Sequence, residues 1–186
     1  MSKRQVHTVK IAGLTRDLPL FEVAPGVRIA IFNMLGDTEV VQAAAKALAK
    51  RIPKEAQTLV TAEAKSIPLA HALSVESGLP YVVLRKAYKP YMGVAVSAET
   101  LSITTGQPQT LYLDEKDHPL VDGKNIVLVD DVISTGSTLQ GMRLILEKAG
   151  GQIIATMAVF TEGERAKWKE IIALGHLPLF VEEAKS

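Results

Sequence analysis

Four short strand-like runs, TLVTAE (58–63), YVVLRK (81–86), NIVLVD (125–130) and QIIATMAVF (152–160), carry apolar residues at consecutive positions rather than only at alternate ones. A strand of that kind has both faces buried, which happens where helices cover the two sides of a parallel sheet. Stretches of helical character separate these runs, so the chain reads as alternating strands and helices. Asp37 reads as an N-cap. Val40, Val41, Ala44, Leu48 and Ala49 follow it at helical spacing, which predicts a helix over 38–51. A second helix starts near Ser66, with Pro68 in its first turn and Gly78 at its end. Further helices are predicted over 137–149 and 164–174, with a last short strand near LPLF.

The flanks of this pattern differ from it. The first ~35 residues read as extended, with breaks at Pro19 and Pro25–Gly26. Residues 87–124 are long, polar and rich in turn residues, and VAVSAETLSI and TLYLD within them suggest a hairpin. A long excursion beside the strand ends fits an active-site lid as well as a decorative hairpin.

Composition narrows the function classes. The net charge of +1 gives no electrostatic footprint for nucleic acid or an acidic membrane. There is no cysteine, which removes disulfides, cysteine–zinc sites and thiol nucleophiles. His7, His71, His118 and His176 are scattered without metal-ligand spacing. The start, MSKRQVHTVK, lacks the apolar core of a secretory signal. No run approaches the ~18 apolar residues of a membrane span. A soluble cytoplasmic protein is the expectation.

Chemistry concentrates in VLVDDVISTGST (127–138). Two carboxylates at a strand end, Asp130 and Asp131, can accept hydrogen bonds from a pair of hydroxyls or hold a metal's water shell. Buried without partners they would cost several kcal/mol, on the order of an unpaired interior charge. Ser134, Thr135, Gly136, Ser137 and Thr138 then open a helix. Hydroxyls and N–H groups at a helix start form an anion cup, and Gly136 lets the backbone come close. Each hydrogen bond to a charged group is worth roughly 1.5–3 kcal/mol. Carboxylates for a diol beside a cup for a phosphate describe a sugar-phosphate site. The P-loop pattern GxxxxGK[ST] and the dinucleotide pattern GxGxxG are both absent.

This segment resembles the phosphoribosyl-pyrophosphate (PRPP) motif of the type I phosphoribosyltransferases. The order of elements over roughly residues 20–180 is similar to theirs, closest to the adenine and xanthine (purine) enzymes. The resemblance implies one domain over 1–186: a parallel twisted sheet flanked by helices, a small N-terminal hood over about 1–36, and a flexible β-hairpin loop over about 87–124. TAEAKSIPLAHALS (61–74) is similar to the pyrophosphate-loop segment, and VVLRKAYKP (82–90) to the Val-Arg-Lys-x-x-Lys strand end.

By that resemblance Asp130 and Asp131 hold the ribose hydroxyls, and Ser134–Thr138 hold the 5′-phosphate. Ala64, Lys65, Ser66, Arg85, Lys86 and Lys89 face the pyrophosphate. Lys89 and Glu99 join the two aspartates as catalytic candidates. Mg²⁺ is the implied cofactor, carried by the pyrophosphate of PRPP rather than by direct protein ligands. The implied partners are PRPP and a purine base, with no nucleic acid and no membrane, and a homodimer is expected.

For the base, Phe32 either stacks on it or fills the core. Asn33 either reads its edge or serves a turn, and Val132 is a further base-binding candidate. The resemblance points to adenine first and xanthine next. Hypoxanthine and guanine enzymes carry an acid just before the Thr-Gly, where this chain has Ser134. Two adenine-type features are missing. Pro25–Gly26 is followed by Val27–Arg28–Ile29, and the flexible loop reads Ile103–Thr104–Thr105–Gly106. The implied activity is purine salvage. The alternatives are a PRPP-binding regulator without turnover and transfer to another base such as orotate.

Overall fold

The computed structural model describes residues 5–101 and 108–181. The chain starts with a hairpin, β1 (Val6–Ile11) and β2 (Leu14–Ala24), closed by the two-residue turn Ala12–Gly13, and continues into β3 (Val27–Ala30). Helix α1 (Thr38–Ala49) follows, then β4 (Thr58–Ala62), α2 (Ile67–Ser77) and β5 (Tyr81–Leu84). A second hairpin, β6 (Val96–Leu101) and β7 (Pro108–Leu113), leads to β8 (Asn125–Ile133) and α3 (Ser137–Lys148). The chain ends with β9 (Gln152–Glu162), β10 (Ile172–Leu177) and β11 (Phe180–Val181).

The central sheet is parallel, in the order β10-β9-β8-β4-β5. The apolar runs form its strands, and alternation along β8 shows why both faces needed to be apolar. Val127 and Val129 join α1, α2 and the first hairpin in one core. Ile126 and Leu128 join α3 and the second hairpin in another. Asp37 caps α1 by accepting the N–H of Val40 at 3.1 Å, and Arg16 from β2 pairs with it.

The hood is a four-stranded sheet, β1-β2-β3-β11. Its fourth strand comes from the far end of the chain, because Phe180–Val181 pairs with β3. Pro19 does not end β2. It lies where β2 passes from pairing with β1, at Val6, to pairing with β3, at Leu20. A residue without an N–H costs least at such a handover.

The expected helix over 164–174 is absent. Arg165–Trp168 forms one 3₁₀ turn, and Ile172–Leu177 is the outer strand of the sheet, parallel to β9. Pairing with β9 and packing against α1 override a charged stretch of helical spacing. The hairpin β6–β7 lies where the sequence places it. It buries Ala98, Leu111 and Leu113 in the core it shares with α3. The stretch Ile103–Gly106 lies outside the described residues, as does part of the expected flexible loop. Among the described residues no helix is long and apolar enough to cross a membrane.

Candidate active site

Strand β8 ends three residues beyond Asp130, so both aspartates lie within its last four residues, at the carboxyl edge of the sheet. Ser66 starts α2, but its hydroxyl caps nothing in that helix. It turns instead to the aspartates. Ser66 Oγ donates to Asp130 Oδ1 at 2.7 Å, accepts the N–H of Asp131 at 3.0 Å and lies 3.3 Å from Asp131 Oδ1. Asp130 Oδ1 also accepts the N–H of Asp131 at 2.9 Å.

Both carboxylates therefore meet at one hydroxyl, although neighbouring strand residues ordinarily face opposite ways. Burial pushes the Asp130 carboxyl up to about 7; the charge of Asp131 adds to the rise and the Ser66 hydrogen bond opposes it. Two adjacent carboxylates with only one hydroxyl between them remain short of donors. A ribose diol is chemically suited to supply two.

The hydroxyl loop follows directly. Gly136 occupies the cap position of α3 with φ +80°, and no side chain caps the helix. Thr135 and Ser137 share a 2.7 Å hydrogen bond. Asp130, Val132 and Ser134–Thr138 line one small cleft at this helix start. Uncapped N–H groups, hydroxyls and the helix dipole together favour a phosphate there.

A second cleft, of about 210 Å³, opens beside it. It is lined by Phe32 and its neighbours from the hood, by Lys65, and by Asp131, Val132, Ser134 and Glu162. Phe32 fills the core, packing edge-to-face on Phe160 at 5.1 Å, and also lines this cleft. Asn33 does not reach the cleft, and its Oδ1 accepts the N–H of Leu35 as a turn residue.

On the pyrophosphate side the structure separates the candidates. Ser66 is in the cluster with the aspartates, and Lys65 lines the base-sized cleft. Ala64 is exposed on the same loop, after a cis Glu63–Ala64 peptide. Arg85 is not brought to the site. Its side chain pairs with Glu63 and lines a different cleft with Tyr81, Val83 and Tyr91. Alternation explains this: Val82 and Leu84 point into the core, so Arg85 joins Tyr81 and Val83 on the other face. Glu63 also accepts the N–H of Lys86, tying the loop after β4 to the end of β5. Lys86 and Lys89 are exposed beyond that strand. Glu99 is exposed on β6, on the face opposite Ala98, and lines none of these clefts.

A Phosphoribosyl transferase domain model matches residues 33–176. The chain belongs to the phosphoribosyltransferase family. Its similarity to the hypoxanthine/guanine phosphoribosyltransferase of Methanococcus voltae is 34% identity over 150 residues, 80% of this chain and 73% of that protein. With the enzyme of the same name from Methanobrevibacter ruminantium it is 39% identical over 129 residues, 69% of this chain and 65% of the relative. The adenine phosphoribosyltransferase structure from Rhodothermus marinus superposes with a TM-score of 0.64 at 18% identity, covering 92% of this chain and 93% of that one. The one from Thermoanaerobacter pseudethanolicus gives 0.62 at 21%, covering 77% and 84%. At such identities the likeness is one of fold.

Two residues beside these clefts escape sequence reasoning. Glu162 ends β9 and is 8% exposed. Trp168 donates its indole N–H to the carbonyl of Glu162 at 2.8 Å, and its ring approaches Gly136 in the loop before α3. A Cβ placed on Gly136 would lie 3.2 Å from that ring. Trp168 thus braces the loop from the side.

The donor set bears on Mg²⁺ as well. Among the described residues no three histidine, aspartate or glutamate side chains gather as a metal site. Asp130 and Asp131 offer hard oxygen ligands in a pair, which suits Mg²⁺ that arrives with phosphate oxygens and water filling its other positions.

Proposed function

We propose that the protein transfers the 5-phosphoribosyl group of PRPP to a purine, releasing pyrophosphate and forming a nucleoside 5′-monophosphate. The observation that carries this reading is the carboxylate pair at the end of β8 placed between a phosphate-sized cleft and a cleft roofed by Phe32. Asp130 and Asp131 accept from the ribose hydroxyls and hold C1′ in place. The hydroxyls of 134–138 and the start of α3 grip the 5′-phosphate. A ring nitrogen of the base attacks C1′ as the C1′–O bond to pyrophosphate breaks, and the electron pair leaves with the pyrophosphate. The base loses its N–H proton in the process. Lys65, and Lys86 and Lys89 from the end of β5, meet the departing charge. Bound Mg²⁺ would offset part of that charge on the pyrophosphate.

Among purines the 6-oxopurines take precedence over adenine in this proposal. The relatives that share 34–39% identity over most of the chain are named for hypoxanthine and guanine, whereas the adenine enzymes share only the fold. Ser134, which argues for adenine, is a single position. The chain also acts, in this reading, as a homodimer in the cytoplasm. Sedimentation at several concentrations tests the dimer, and a stable monomer ends it.

The experiment mixes the protein with PRPP and Mg²⁺, adds adenine, xanthine, hypoxanthine, guanine or orotate singly, and follows pyrophosphate release. Release with guanine or hypoxanthine is the expected result. Release with orotate alone, or PRPP binding without release for any base, would defeat the purine-transfer reading.

A further inference from the structure

Glu162 is the one carboxylate lining these clefts whose oxygens have no hydrogen bond or ion pair among the described residues. Asp130 and Asp131 share Ser66, while only the backbone carbonyl of Glu162 is engaged, by Trp168. Its carboxyl is pushed up by burial alone, with no neighbour opposing the rise. Glu162 is only 8% exposed, and what remains open of its carboxylate meets solvent rather than a protein donor. Glu162 lines the cleft together with Phe32, Val132 and Lys65. A ligand in this cleft would meet a carboxylate free to accept from its N–H groups in place of solvent.

The register of the sheet says which part of a ligand that is. Asp130 is level with Ala158, and Glu162 stands four residues further along β9. At about 3.3 Å per residue that is roughly 13 Å along the ligand edge. With ribose hydroxyls at Asp130, a base on C1′ would enter the cleft that Phe32, Val132 and Glu162 line, with Glu162 at its outer end. The span suits a two-ring base with hydrogen bonds at both ends.

We propose that Glu162 reads the base, accepting hydrogen bonds from N–H groups on the outer edge of the purine, with guanine as its best partner. This rests on the purine-transfer reading above. Guanine offers its ring N1–H and its 2-amino group side by side, and a carboxylate accepts such a parallel pair in the way it accepts two N–H groups of an arginine. Hypoxanthine lacks the amino group and makes half the contact. Xanthine places an oxygen there, against the carboxylate. Adenine presents one donor next to the N1 lone pair, which suits an amide better than a carboxylate.

The test compares Glu162→Gln and Glu162→Ala with the unmodified protein in full steady-state kinetics with guanine, hypoxanthine and adenine. The chain's single tryptophan touches the phosphate loop, so its fluorescence reports PRPP binding independently of the base. Losing a hydrogen bond to a charged group changes a rate constant roughly ten- to hundredfold. Glu162→Gln is expected to lower the guanine-to-adenine ratio of kcat/KM by that factor, with PRPP affinity held within about twofold by the same reasoning. Glu162→Ala should lose the preference without gaining adenine. Binding of GMP against AMP, read by the same fluorescence, should shift in parallel and needs no turnover. An unmoved ratio in both variants, whichever base the unmodified protein prefers, overturns the role of Glu162 and leaves purine transfer standing. An unmodified protein that uses no purine removes both.

Discussion

Asp130 holds a raised carboxyl because the fold buries it beside a second negative charge and supplies only one hydroxyl. That arrangement favours ligand over apo stability. In the unfolded chain this group ionises near 3.8, and in the fold near 7. Between those values the folded protein keeps a proton that the unfolded chain releases. The stabilisation is complete below about pH 4 and is lost as pH rises through about 7. The ligand-free protein should therefore lose resistance to denaturant between about pH 4 and pH 7. Glu162, also raised by burial, contributes in the same direction. Asp130→Asn should flatten most of this fall and stabilise the ligand-free protein at pH 8 by on the order of 1–3 kcal/mol, since a buried charge is removed. Denaturation midpoints across this pH range measure it. A variant whose midpoints fall as steeply as the original would show that Asp130 ionises freely in the fold.

The turn from β8 into α3 concentrates the element-scale chemistry. Gly136 has φ +80° at the cap of α3, and the ring of Trp168 closes the space a side chain would need. Gly136→Ala should cost about 1–2 kcal/mol for the left-handed backbone alone. Displacing Trp168 should weaken PRPP binding by about tenfold, one lost contact of ~1.4 kcal/mol. Thermal melting with a fluorescence titration measures both, and unchanged PRPP affinity would mean that the loop does not hold the phosphate.

This turn was legible in the sequence because its residues are contiguous, so that a strand, two acids, a glycine and hydroxyls appear in one line. The rest of the site was less so. Glu162 and Trp168 are single residues some thirty positions later, and only the β8–β9 pairing and a 3₁₀ turn bring them back. Arg85 went the other way. It stands next to Lys86 in a familiar-looking strand end, and the two-residue period of β5 turns it towards Glu63 and a different cleft. Strand β10 was hidden because a lone strand with Gly175 and His176 has no clear period of its own, and its partner β9 decides it.

At the scale of the molecule, the site lies on a seam. The hood, α1 and α2 pack on one face of the sheet and α3 with the second hairpin on the other. The hood, the loop after β4, the end of β8 and the start of α3 meet only at the carboxyl edge, where Phe32, Lys65, Asp131 and Ser134 line one cleft. A ligand held there ties segments from both cores, so its binding energy adds to the stability of the whole fold. At a concentration one hundred times its dissociation constant, a ligand adds about 2.7 kcal/mol. For a chain of this size each kcal/mol moves the midpoint by about 2–4 °C, so PRPP with Mg²⁺ should raise the melting temperature by roughly 5–10 °C. The variant carrying both Asp130→Asn and Asp131→Asn should lose this shift although its own ligand-free midpoint does not fall, because the amides remove buried charge without emptying the site. The same rise in both proteins would mean that PRPP is held without the aspartates, and the diol would have to be sought elsewhere along the edge.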